Sequence, residues 1–524
     1  YVTHFYMDLG YKNCYVGILQ MEYDGIKFYF IDNEYYFSGP KPYDSAPWDL
    51  EKFAFFSKAV LSVLPVIDFR PDIIHCHDWQ TGLVPVYLHD SFQQNQFFWG
   101  IKTIMTIHNL KFQGVYDVKT IKELTGLSDY YFTPDKLEAY KDGNFLKGGI
   151  VFADAVTTVS NTYADEIKTP FYGEGLDGLL RARSNSLRGI VNGIDYNVYN
   201  PKTDKDIAVN YSVEDVIKAK AANKTALQKE LGLEENPDAF MLGIVSRLTD
   251  QKGLDLVECV LDQICAEDVQ LVVLGTGEGK YQDMFTYYSR KYPERVSANI
   301  FYSEALSHRI YASCDAFLMP SLFEPCGLSQ LMSLRYGTLP IVRETGGLRD
   351  TVTPYNEVDG TGTGFSFTNY NAHEMLAIIR YAKKTYFNDR RAWNEMVLRA
   401  MKQDFSWDAS AREYEKLYDG LIEEEARRKE AIRLQQAREA AEAALKEAEK
   451  ALELAKRAED NAIRKFSGIE DETEDERTET AEVEADKTPE AASEPEEVTE
   501  VLETQETPEE AEEVVTKAKS EEKE

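Results

Sequence analysis

Cysteine, histidine and basic charge are all scarce in this chain, and each scarcity closes off a class of function. The six cysteines among 524 residues, Cys14, Cys76, Cys259, Cys265, Cys314 and Cys326, form no C-x-x-C pair and no zinc-like His/Cys spacing. They read as reduced, mostly buried thiols of a cytoplasmic protein, and no metal site is expected. Lysine and arginine number 58 against 91 aspartates and glutamates, a net charge of −33 that argues against nucleic acid and anionic membranes as partners. No apolar run approaches the roughly 20 residues of a membrane span. The opening "YVTHFYMDLGY" has no initiator Met, no apolar signal segment and no twin-arginine pattern, and reads as starting inside a fold.

What is present is core-forming material, with hydrophobics at 43% and aromatics at 12%, enough for two ordinary domains with extensions. From Cys14 to about Asn200, short apolar runs ("IKFYFI", "DIIHCHDW", "KTIMTIHN", "DAVTTVS", "RGIVNGID") alternate with helical stretches. Crossovers of a dozen or more residues imply parallel pairing. A second series, "MLGIVSRL", "VQLVVLGTG", "VSANIFY", "DAFLMPS", "LPIVRETGG" and "GFSF", follows a polar helical segment. The expected organisation is an α/β domain over 1–204 that lacks its beginning, a linker over 205–237 and a second α/β domain over 238–404. An amphipathic closing helix over 405–420, a charged helical extension over 421–466 and a disordered acidic tail over 467–524 complete it. The extension has a thin apolar seam (Leu434, Leu445, Leu452, Ile463), free or weakly coiled-coil. Residues 421–524 hold 35 acidic and 16 basic side chains, hence −19 of the −33, which leaves −14 on the rest.

Polar residues collect just past the apolar runs: His77, Asp78 and Trp79; His108 and Asn109; Asn192, Gly193 and Asp195; Arg247, Gln251 and Lys252; and Glu324 in "FEPCGLSQLMSLRYG". Taken singly, each has an ordinary reading as a helix cap, a turn or a solvated charge. Taken together they mark one rim, and the carboxyl ends of strands in an open α/β sheet are where ligands bind. Arg247 and Lys252 put two cations at one strand end, suited to a diphosphate. A helix opening after Gly327 would add backbone N–H groups.

The segments "DIIHCHDWQTGLVPVYL", "TIHNLKFQGVY", "SRLTDQKGLDLV", "FEPCGLSQLMSLRYGTLPIVRETGGLRDTV" and "DFSW" resemble the starch-synthase-type retaining glycosyltransferases of GT-B fold, the bacterial glycogen synthases among them. The resemblance covers about Asn13 to Leu421. It implies two Rossmann-like domains facing each other across a cleft. It also implies transfer of glucose from a nucleotide sugar, usually ADP-glucose, to the non-reducing 4-hydroxyl of an α-1,4-glucan such as glycogen, with retention and without a cofactor. By the same resemblance Glu324 meets the donor glucose, Arg247 and Lys252 neutralise the leaving diphosphate, and the Gly327 and Leu328 backbone lies under the distal phosphate. His108 contacts the transferred glucose, Asn192 helps to hold it, and Asp78 faces the reacting centre. Tyr302 stacks on adenine, and Trp79 and Gln251 line the same region.

Two departures accompany the resemblance. Met332 stands where many retaining GT-B enzymes carry a second glutamate. No residues match the Lys-x-Gly-Gly loop with which the family opens; "ETGGL" at 344–348 is its echo in the second domain. Two alternatives stay open at this level: a UDP-sugar-dependent retaining glycosyltransferase, and a non-catalytic glucan-binding or scaffolding relative. No sequence feature sets an oligomeric state.

Overall fold

The computed structural model describes residues 1–468; the acidic tail expected from 467 lies, but for its first two residues, outside them. Residues 1–437 form one compact unit that contains two parallel sheets. The first sheet has four strands in the spatial order Leu187–Gly189, Ala155–Thr158, Lys102–Ile107, Ile73–His77. The second has six, in the order Val296–Asn299, Val269–Leu274, Phe240–Val245, Ala316–Met319, Leu339–Arg343, Phe365–Phe367, all parallel. Every residue of "VQLVVL" (Val269–Leu274) is buried, as befits a strand covered by helices on both faces. The covering helix Leu254–Ala266 turns Leu254, Val257, Val260, Leu261 and Ile264 inward, the spacing of one helical stripe. In the second sheet the chain reverses direction of growth between Phe240–Val245 and Ala316–Met319. That switch opens a crevice at their carboxyl ends.

The structure corrects three expectations. "IKFYFI" belongs to an antiparallel three-stranded meander, Thr3–Leu9, Lys12–Tyr23 and Ile26–Asp32, rather than to the parallel series. The turn Asp24-Gly25 has positive φ at both residues, the geometry of a two-residue hairpin. The helix Ala46–Val66 covers the meander's inner face, with Met7, Leu9, Val16 and Ile18 in one core with Leu50, Ala54 and Phe55. Second, most of the supposed linker is structural. The helix Val216–Leu231 packs Val216 and Ala219 into the core of the second half.

Third, the closing helix and the charged extension are one helix, Trp407–Phe466. Its first turns lie on the first sheet, where Leu417 and Leu421 share a core with Ile104, Ala155 and Ile190. The docking continues past residue 420, since Glu425 is buried and lies 3.5 Å from Lys102. The second unit, from Arg438, is helical to Phe466 and exposed, with pairs such as Arg457–Glu453 at 2.6 Å one turn apart. No helix among the described residues is long and apolar enough to cross a membrane.

Candidate active site

The crevice of the second sheet is built by two loops. After Phe240–Val245 the chain passes Arg247 and makes a short turn at Asp250–Lys252. Gly253 leaves it with φ +68, and a side chain there would run into the Pro320 carbonyl, so the two loops touch as backbone. After Ala316–Met319 comes Ser321 to Cys326, which carries Glu324. Leu322 N donates to Gln251 O at 2.9 Å and Gln251 Nε2 to Phe323 O at 3.2 Å, fastening one loop to the other.

Glu324 is buried, and Lys252 Nζ lies 2.6 Å from its Oε2. Ser321 Oγ donates to the same oxygen at 2.9 Å. Arg247 Nη2 reaches Gln251 Oε1 at 3.3 Å and makes no ion pair among the described residues. A nearly buried carboxylate with one lysine, beside an arginine with no acidic partner, leaves positive charge available to an anion. Gly327 has φ +70, and the helix Ser329–Arg335 opens behind it with no side chain capping its first amides. Leu328 is exposed, and Tyr302, past Val296–Asn299, is 84% exposed.

The first sheet contributes a chain of rings. His75 and His77 alternate on the strand Ile73–His77 and so share a face, their rings stacked 4.3 Å apart. His77 Nδ1 lies 3.0 Å from His108 Nε2, and His75 meets Thr106 Oγ1 at 2.6 Å and the Tyr418 hydroxyl at 2.8 Å. Burial lowers all three imidazoles below their ordinary range, His75 to about 3, so they are neutral at pH 7. Asp78 occupies positive φ (+56), a strained setting for a non-glycine residue. Its Oδ1 accepts from His108 N at 2.7 Å and Asn109 N at 3.4 Å. Burial pushes its carboxyl up, and those two amides pull against the rise. This carboxylate therefore fixes the turn that presents His108. Trp79 is buried edge-on to Phe53, ring centroids 5.0 Å apart.

Asn192 spans the two halves: its backbone amide faces the thiol of Cys326, which burial pushes up to about 12. The structure thus joins Arg247, Gln251, Lys252 and Glu324 into one bonded group and His108 with Asp78 into another. Sequence reasoning passed over Ser321 and His75, and placed His77 at the rim without a role. The alternation of histidines in "IIHCH" was the available signal for both histidines. Among the described residues one group has metal-ligand spacing, Asp204, Asp206 and His308. There His308 Nδ1 lies 2.7 Å from Asp204 Oδ2 and the Tyr336 hydroxyl donates to the same oxygen, while the buried His308 Nε2 has no hydrogen-bond partner among the described residues.

Residues 1–182 match the family model of the starch synthase catalytic domain, and 225–397 that of the glycosyl transferases group 1. A glycogen synthase of Lachnospira eligens is 69% identical over 80% of this chain and 88% of its own length. One from Lachnoclostridium phytofermentans is 66% identical over the same shares. The catalytic domain of Starch Synthase IV from Arabidopsis thaliana, solved with ADP and acarbose, superposes with a TM-score of 0.75 at 33% identity, covering 80% of this chain and 87% of that one. On this likeness, carried across both sheets, the chain belongs to the glycogen synthase family of glycosyltransferases.

Proposed function

We propose that this chain transfers glucose from ADP-glucose to the non-reducing 4-hydroxyl of an α-1,4-glucan, retaining configuration, as a cytoplasmic, metal-independent enzyme. The observation that carries the reading is the Lys252–Glu324 pair at the switch point of the second sheet, with Arg247 beside it. A retaining transfer with attack from the leaving-group side passes through an oxocarbenium-like state. It needs a well-stabilised leaving group more than a strong base. Arg247 and Lys252 supply that stabilisation to the diphosphate, and the open amides after Gly327 supply more. Glu324, held by Lys252 and Ser321, offers negative charge to the donor glucose as its ring becomes cationic.

On the acceptor side, neutral His108 hydrogen-bonds sugar hydroxyls without adding charge near the developing cation. Asp78 orients His108, and Asn192 reaches the sugar from beside Cys326. Tyr302, exposed and past a strand end, stacks on the adenine; Trp79 and Gln251 line the cleft. The ADP and acarbose of the Arabidopsis domain support a nucleotide diphosphate and a glucan-like acceptor in this crevice. Incubation with ADP-glucose and maltotetraose tests the reading. Maltopentaose with a new α-1,4 linkage, made faster from ADP-glucose than from UDP-glucose, is expected. A β-linked product, or no transfer, overturns it.

A further inference from the structure

One buried hydroxyl of the first half touches the loop that carries Glu324. Ser160 is fully buried at the carboxyl end of the strand Ala155–Thr158. Its Oγ accepts from Tyr163 N at 3.1 Å, capping the helix Asn161–Glu166, and donates to Pro325 O at 2.6 Å. Pro325 O takes a second bond from Gly347 N at 3.1 Å, so its two lone pairs are shared between the two halves of the molecule. The loop behind this carbonyl has little freedom. Gly346 has φ +43, and a side chain there would strike the Glu324 carbonyl.

The same helix makes further contacts across the cleft. Thr162 N donates to Asp350 Oδ2 at 3.0 Å. Glu166 accepts from Thr345 Oγ1 at 2.8 Å and from Gly346 N at 3.1 Å. These bonds hold the halves together but act on the helix Gly346–Thr351. Ser160 alone among them grips the residue next to Glu324.

We propose that Ser160 is a positioning residue for glucosyl transfer: its hydroxyl, from the acceptor-side half, sets the Glu324–Cys326 turn when the two halves are closed. The inference rests on the transfer reading above. ADP is held chiefly by the side chains of Arg247 and Lys252, which lie wholly in the second half, and only in smaller part by the amides after Gly327, so losing the tie leaves donor binding nearly intact and impairs turnover.

Three variants of the full chain separate the tie from the helix cap. Ser160→Gly lacks the hydroxyl, yet glycine caps a helix nearly as well as serine; Ser160→Ala lacks both; Ser160→Thr keeps both. Two readouts are taken: hydrogen–deuterium exchange of amides between Phe323 and Leu328, and kcat with KM for ADP-glucose. In Ser160→Gly and Ser160→Ala alike, exchange should quicken and kcat should fall on the order of ten- to a hundredfold, the span of one buried hydrogen bond. KM should stay within about twofold, and Ser160→Thr should restore both readouts. Unchanged exchange in Ser160→Gly, or a loss of turnover confined to Ser160→Ala and tracking its melting temperature, overturns the proposal. If the unaltered chain transfers no glucose, the assigned reaction fails, and the exchange result alone decides the tie.

Discussion

Glu324→Gln distinguishes a catalytic pair from a structural strut. It removes the charge 2.6 Å from Lys252 Nζ but leaves an oxygen for both Lys252 and Ser321. If the carboxylate serves the oxocarbenium state, its charge opposes the diphosphate in the ground state and its loss frees Lys252. Two unit charges about 6 Å apart interact by roughly 0.7 to 2.8 kcal/mol for effective dielectric constants between about 80 and 20. With the Lys252 side chain 16% exposed and that of Glu324 8%, the pair is neither fully solvated nor dry, and a value between the two limits applies. About 1 kcal/mol corresponds to ADP binding roughly fivefold tighter. A strut behaves oppositely: breaking a buried pair leaves one charge unpaired, at about 3–5 kcal/mol, and weakens fold and ligand site together. Calorimetric titration with ADP, thermal unfolding and turnover are measured on the same variant. The expected result is tighter ADP binding, a melting temperature within a few degrees, and kcat down on the order of a hundredfold or more. Arg247→Ala and Lys252→Ala should each weaken ADP binding. If Glu324→Gln also loses ADP affinity, as Lys252→Ala does, the reasoning is refuted.

Three further outcomes are expected. Ending the chain after Ala437 should leave melting temperature and transfer close to unchanged. Ending it at Asp404 strips Leu417 and Leu421 from the first sheet, about 3–6 kcal/mol for two leucines against a typical 5–15 for a domain; equal stability of the two truncations would contradict the docking. EDTA should not affect transfer, because two cations act on the leaving group; activity lost to EDTA and regained with magnesium would refute this. Because burial keeps His75, His77 and His108 neutral when folded, the unfolded chain binds more protons below about pH 6.5. Their contribution is therefore full above that pH and declines as pH falls, and the urea midpoint should be lower at pH 5 than at pH 7.5. His75→Gln should narrow that difference, and an undiminished one would count against the assignment.

The second half was legible because its strands are continuous apolar runs and its polar residues follow them directly, so the strand-end rule alone led to Arg247, Lys252 and Glu324. That Lys252 and Glu324 form a pair across 72 positions is tertiary, and no local pattern encodes it. The meander was misread although "YDG" between alternating residues signals a hairpin. The helix Val216–Leu231 looked like a linker for a different reason. Lys220 and Lys224 are buried, Lys220 bonded to Thr338 at 2.6 Å and Lys224 to Asp315 at 2.6 Å, and composition counts a paired, buried lysine as an exposed one. Ser160 and Ser321 were invisible for lack of any spacing that separates a gripping serine from a capping one.

The most direct test compares the unaltered chain with Glu324→Ala for transfer of labelled glucose from ADP-glucose into glycogen. The account expects steady transfer by the former and a kcat lower by about a hundredfold or more in a folded Glu324→Ala protein. Near-normal turnover in Glu324→Ala would contradict it.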